Sequence, residues 1–254
     1  MMDYLYTLKK LNSDYPQKYI ELINRVVNSM TSIFDDNLIT IVLGGSGGKG
    51  NIIDGWSDID LYVILRTYDV YEISNITKLI SKEKIHVGVT YYLRDEVINN
   101  IIDAKTKIML YEKQTYKVNP TLYGNDIIFN KISYREVKQN DKNSFPVVLH
   151  DIRRRYMNLY IDKNEKLEKT YIKKLLVLIK CILNYYDIFS YGYDKTFTKF
   201  KLLCDLKYGE LTNIYDFNIM KVINNVNNSK DEVLNFSYEL FKLIEKNLIY
   251  EGEL

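Results

Sequence analysis

A chain of 254 residues with 46% hydrophobic side chains is long enough for one large domain or two modest ones and can bury a sizeable core. Its 35 basic and 33 acidic side chains leave a formal charge of +2, which makes no electrostatic case for a nucleic-acid scaffold. Two cysteines, Cys181 and Cys204, exclude a disulfide framework or a thiolate cluster, and no apolar run approaches the roughly 20 residues that span a bilayer, so reduced buried thiols and a cytoplasmic location are expected.

From Pro16 to Phe34, Tyr19, Leu22, Ile23, Val26, Val27 and Met30 recur at helical spacing and predict an amphipathic helix. Leu38 to Leu43 is a β-branched apolar run, expected as a buried strand and ended by Gly44 and Gly45. Asp58 to Leu65 predicts a second strand, reached through a loop rich in Gly, Asn and Ser. Helical spacing returns from Tyr68 to Ser81, and Lys84 to Tyr92 then alternates as a third strand. Its faces divide into Ile85, Val87, Val89 and Tyr91 against His86, Gly88, Thr90 and Tyr92.

Arg94 to Asp103 reads as a helix. Lys107 to Val118, with its Tyr, Thr and Val, reads as an edge strand or strand-turn pair. The polar stretch 132–144, ending before Pro146, is the expected junction between a domain of residues 1–140 and one of residues 141–254. Beyond it the period is helical, through Val147 to Tyr160, Glu168 to Phe189, Lys199 to Leu206, Asp216 to Val226 and Lys230 to Ile249. The expected class is α+β: a sheet with flanking helices, followed by an all-helical domain.

Chemistry concentrates in residues 44–60. Asp58 and Asp60 stand one residue apart on a predicted strand and therefore share a face. Such a pair suits Mg²⁺, which binds through one or two carboxylates plus substrate phosphates. Ser46, with the amides of Gly45 and Gly47, can offer a concave set of N–H donors to terminal phosphates. Lys49, in the following loop, is expected to face solvent.

A Gly-Ser turn, eleven intervening residues and an Asp-Ile-Asp strand followed by Leu61 and Val63 resemble the signature of the DNA polymerase β-like nucleotidyltransferase superfamily. With a helical second domain, the chain is most like the aminoglycoside and other antibiotic nucleotidyltransferases. The resemblance implies a catalytic domain built on a mixed sheet, Mg²⁺ as cofactor, and ATP or another nucleoside triphosphate as donor. It also implies transfer of a nucleoside monophosphate, most simply AMP, to a hydroxyl of a small-molecule acceptor, often bound across a homodimer. It assigns Asp58 and Asp60 to metal binding and catalysis, and Gly45 and Ser46 to the nucleotide. A lysine of the helical domain would meet the triphosphate, with Lys180, or Lys173 on the same flank, as the candidates.

One part of the pattern is missing. Many members carry a third carboxylate on the next strand, where this chain has His86, Gly88 and Thr90. Either one metal suffices, or His86 serves as ligand or general base, or turnover is lost. Asp95 and Glu96 lie just past that strand; the bland alternative for His86 is a half-buried ring satisfied by its neighbours. Arg153, Arg154 and Arg155 read as a solvated helix face, with phosphate contact as the rival, and His150 as a helix-surface residue. Glu165, Glu168, Asp187 and Asp194 are candidates to receive a cationic antibiotic. Rival functions are transfer to a protein or tRNA, the latter disfavoured by the charge balance, and a nucleotide-binding module without turnover.

Overall fold

The structure, a computed structural model, describes residues 15–124, 131–162, 165–208, 214 and 216–249. Two compact units divide the chain, Met1–Val137 and Lys138–Leu254. The fold class is α+β.

In the first unit, α1 (Gln17–Phe34) leads to β1 (Leu38–Gly44), the glycine turn Gly45–Gly48 and β2 (Ile59–Leu65). There follow α2 (Val70–Ile80), β3 (Val87–Leu93), α3 (Arg94–Ile98), α4 (Ala104–Tyr116) and the short β4 (Thr121–Tyr123). The strands form one sheet in the order β3-β2-β1-β4. β1 runs antiparallel to both β2 and β4, whereas β2 and β3 are parallel, so the sheet is mixed and α2 supplies the crossover that a parallel pair requires. On one face Ile59, Leu61, Val63 and Leu65 of β2 join Tyr19, Ile23, Val26, Val27 and Met30 of α1 in a single core. Ile85, Val89 and Tyr91 pack against it, so the predicted division of β3 into faces holds. On the opposite face Val42, Tyr62 and Ile64 are also buried, and the polar residues gather where β1 ends and β2 begins.

Two stretches differ from expectation. The segment from Lys107 onward is helical, not extended, because Asp103 caps α4: its Oδ1 accepts from the Thr106 amide at 3.0 Å. That cap, with Met109 and Leu110 buried one turn in, outweighs the strand preference of the tyrosines and threonines. The helix expected from Arg94 to Asp103 stops at Ile98, and Asn100 takes a left-handed φ of 59°.

The helix expected from Val147 begins earlier: most of the polar stretch 132–144 lies in α5 (Tyr134–Ile161), which runs through Pro146. Ser133 and Glu136 form a capping box, the Ser133 amide donating to Glu136 Oε2 at 2.8 Å and the Glu136 amide to Ser133 Oγ at 3.3 Å. Val137, Asp141, Phe145, Leu149 and Ile152 are buried at helical spacing, which carries the helix across the amide that proline removes.

The second unit continues through α6 (Lys169–Tyr185), α7 (Tyr193–Tyr208), α8 (Ile219–Asn224) and α9 (Lys230–Leu243), the last extended by a π-helical turn to Ile249. Tyr171, Ile172, Leu175, Ile179 and Ile182 of α6 are buried, and the Tyr171 hydroxyl donates to Ser237 Oγ of α9 at 2.9 Å. Phe217 stacks on Phe236 with ring centroids 4.0 Å apart. Cys181 and Cys204 are free and buried, and burial pushes the Cys204 thiol up to about 12, so it stays protonated and unreactive. Among the described residues no helix is long and apolar enough to cross a membrane.

Candidate functional site

The glycine turn and the aspartate strand meet because of how β1 ends. Gly44 pairs with Asp60 across the antiparallel ladder, and Gly45 then takes a left-handed φ of 59°. A Cβ on Gly45 would stand 2.1 Å from Asp60 Oδ2, so only glycine lets the chain turn this closely over the carboxylate. Ser46 is partly exposed while Gly47 is buried, which leaves Gly45 and Ser46 as the accessible lip of the turn.

The far end of the turn is clasped from below. A Cβ on Gly48 would lie 2.2 Å from Asn119 Oδ1, and the Asn119 amide donates to the Gly48 carbonyl at 2.6 Å. Asn119 Nδ2 in turn donates to Met109 O at 3.1 Å and Glu112 Oε2 at 3.3 Å. The Tyr15 hydroxyl donates to Gly47 O, and burial pushes that phenol up to about 12, so it remains a donor at neutral pH. Lys49 does not face solvent as expected: its Nζ lies 2.7 Å from Glu112 Oε1, with side chains only 13% and 2% exposed. A carboxylate buried on α4 requires such a counter-charge.

β2 starts at Ile59, so Asp58 stands just before the strand; Ser57 and Ile59 are buried while Asp58 and Asp60 are partly exposed, and neither carboxylate joins the core. In the parallel ladder Asp60 stands beside Gly88, and the Ile59 amide donates to the His86 carbonyl at 2.9 Å, which sets His86 next to Asp58. A Cβ on Gly88 would lie 3.6 Å from Asp60 Oδ1 and 3.9 Å from His86 Nε2. His86 is exposed rather than half-buried. Of the predicted residues, Gly45, Asp60 and His86 come together, Ser46 and Asp58 are their chain neighbours, and Lys180 belongs to the second unit.

Sequence reasoning missed Lys105. Its Nζ lies 2.9 Å from Asp60 Oδ1, where it approaches the carboxylate from α4. Asp103 fixes that helix start by accepting from the Thr106 amide, from Thr106 Oγ1 at 2.9 Å and from the Tyr92 hydroxyl of β3. Burial tends to raise the Asp103 carboxyl, but the Tyr92 and Thr106 hydroxyls and the Thr106 and Lys105 amides outweigh it and hold it below the usual carboxylate range. The readable signal was an Asp three residues before a Thr at a helix start. Glu96 accepts the Leu93 amide at 2.7 Å as a cap, and Asp95 is exposed in the first turn of α3.

The remaining candidates sit in the second unit, described by itself. Lys180 and Lys173 lie on α6, and the Lys180 charge acts on the buried Asp141, whose carboxyl is raised by burial. Arg154 and Arg155 pair with Asp151 at 2.9 and 3.3 Å, and Arg153 lies 5.6 Å over the Phe241 ring, in keeping with a helix face. His150 is exposed on α5. Glu168 is 3.4 Å from Arg155 and Asp187 is 2.8 Å from Lys138, so both carboxylates are engaged within their own unit.

Among the described residues no three or more His, Cys, Asp or Glu side chains converge as a metal-holding group. The residues present nonetheless fit Mg²⁺ in its substrate-assisted form, with two carboxylates from the chain and the other oxygens from phosphate and water. Asp60 Oδ2 lies directly against Gly45, so the turn and one carboxylate oxygen meet with no side chain between them.

No protein-family profile matches the chain, and no curated protein matches it. Among solved structures, it is similar to the spectinomycin adenyltransferase AAD(9) of Enterococcus faecialis, solved with ATP and spectinomycin. The identity is 17% and the TM-score 0.43, over 84% of this chain and 99% of that one. It is also similar to a nucleotidyltransferase-like protein of Exiguobacterium sibiricum, at 12% identity and a TM-score of 0.28, over 89% of this chain and 80% of that one.

Proposed function

We propose that this chain is a Mg²⁺-dependent nucleotidyltransferase that moves a nucleoside monophosphate, most simply AMP from ATP, onto a hydroxyl of a small molecule such as an aminoglycoside-type antibiotic. The observation that carries the reading is the approach of Gly45 to Asp60, which sets the glycine turn directly against a carboxylate across the β1–β2 ladder. Asp58 and Asp60 hold the cation, which supplies neutralising charge at the transferring phosphate. Gly45 and Ser46 bind the terminal phosphates and so align the α-phosphorus for in-line attack. His86, exposed beside the pair, takes the proton of the acceptor hydroxyl. Residues 1–140 form the catalytic domain in this reading, and residues 141–254 the acceptor domain. ATP chemistry and protonated thiols suit the cytoplasm, and the acceptor class leaves room for a homodimer.

Pyrophosphate release from ATP and Mg²⁺ over a panel of antibiotics tests this. Asp58→Asn and Asp60→Asn should each abolish release while the far-ultraviolet circular dichroism stays unchanged; undiminished release would overturn the assignment. His86→Ala should slow turnover at least about tenfold if its ring is the base. A second reading, a nucleotide-binding module without turnover, is favoured by the lack of any acid at positions 86, 88 and 90 and by the lysine on Asp60. Nucleotide binding without release under any acceptor would select it.

A further inference from the structure

Resting on the nucleotide-site reading above, we infer that Lys105 is a built-in second cation of this site: its ammonium holds Asp60 until nucleotide and metal arrive, then turns to the nucleotide's phosphates. Asp60 is divided between two neighbours. Its Oδ2 faces Gly45, and its Oδ1 lies 2.9 Å from Lys105 Nζ. The flank where a third acid would sit carries Gly88 and the exposed His86, so neither strand position there supplies a carboxylate.

The ammonium is aimed rather than adventitious. Lys105 is the second residue of α4, and the start of that helix is fixed to β3 through Tyr92, Asp103 and Thr106. The Lys105 side chain is 66% exposed and that of Asp60 29%, so the pair is weak enough to open when a stronger ligand arrives. A divalent ion approaching Asp60 alone must displace the ammonium. Triphosphate brings negative charge to the same place, and a released ammonium pairs with it in a charge-assisted hydrogen bond. Lys105 thus opposes metal binding in the absence of nucleotide and supports nucleotide binding, two effects of opposite sign from one side chain.

The test uses the full chain and two titrations: Mn²⁺ alone, followed by electron paramagnetic resonance, and a non-hydrolysable ATP analogue with Mg²⁺, followed by calorimetry. Lys105→Met should tighten Mn²⁺ binding by up to about fivefold, the scale of an exposed ion pair. The same variant should weaken analogue binding about tenfold, as loss of a charge-assisted contact does, and Lys105→Arg should restore most of the analogue affinity. Unchanged analogue affinity in Lys105→Met, equal weakening of both titrations, or no rescue by arginine would each overturn the assignment. Asp60→Asn separates the two layers of the argument. If the native chain binds neither probe, or if Asp60→Asn leaves both titrations unmoved, the nucleotide-site reading itself fails; native binding with a silent Lys105→Met removes only the lysine's role.

Discussion

Both ends of the glycine turn are tied to a carboxylate–lysine pair, and the two pairs share chemistry and little else. At the far end Lys49 meets Glu112 at 2.7 Å with side chains 13% and 2% exposed; at the near end Lys105 meets Asp60 at 2.9 Å with 66% and 29% exposed. Glu112 also accepts from Asn119, which itself bonds to Gly48 and Met109, so the far pair is one node of a closed network. The near pair opens onto solvent beside His86 and Ser46. Burial decides which pair can exchange partners: an ion in the interior keeps its counter-ion because nothing else can replace lost hydration, whereas an exposed ion can trade it for another ligand. The far end is thus an anchor and the near end an exchangeable edge.

The largest effect should come from breaking the anchor. Glu112→Ala strands the Lys49 ammonium in a mostly buried position, and loss of one partner of a buried pair costs about 3–5 kcal/mol. Urea unfolding should show a correspondingly lower midpoint. Asp60→Asn should change the unfolding free energy by less than about 1 kcal/mol, since its partner is exposed. Equal losses in the two variants would break the distinction between anchor and edge.

An intermediate effect should follow from Gly45→Ala. The left-handed backbone alone costs an L-residue about 1–2 kcal/mol, and the new Cβ would press on Asp60 Oδ2. The variant should melt a few degrees lower and bind the ATP analogue at least about tenfold more weakly, because the carboxylate must move to admit the methyl group. Retained analogue affinity would mean that the turn is not the phosphate lip.

The glycine turn and Asp60 were legible in the sequence, whereas Lys105 and the anchor were not. A Gly-Ser turn and an Asp-x-Asp pair are local patterns, and the first strand follows from the apolar run Leu38–Leu43. Glu112 and Asn119 are recognisable only once α4 exists, and that helix was obscured because tyrosines and threonines after Lys107 favour extended chain when read alone. Asp103 was absorbed into a preceding helix that ends five residues earlier, which hid both the cap and Lys105 behind it. The α5 start fails differently: the Ser133–Glu136 box was in plain view, but Pro146 and the polar run outweighed it, although burial of Phe145 and Leu149 decides the matter.

The smallest effect tests whether the two ends are independent. Asp103 is held below the ordinary carboxylate value of 3.8, so its contribution to stability is complete above that value and is lost as the pH falls through the lower, folded value. Because the group is largely solvent-screened, the loss should be a fraction of about 1 kcal/mol. Hydrogen exchange on acidification below about pH 4 should release the Thr106 amide, which bonds to Asp103 Oδ1. The Asn119 amide, bonded to the Gly48 carbonyl, should keep its protection. Asp103→Asn should remove the acid step and, by loosening the helix start that aims Lys105, weaken analogue binding a few-fold at neutral pH. Simultaneous release of Thr106 and Asn119 would mean that anchor and edge open as one unit, and that the near pair cannot exchange its partner without disturbing the turn.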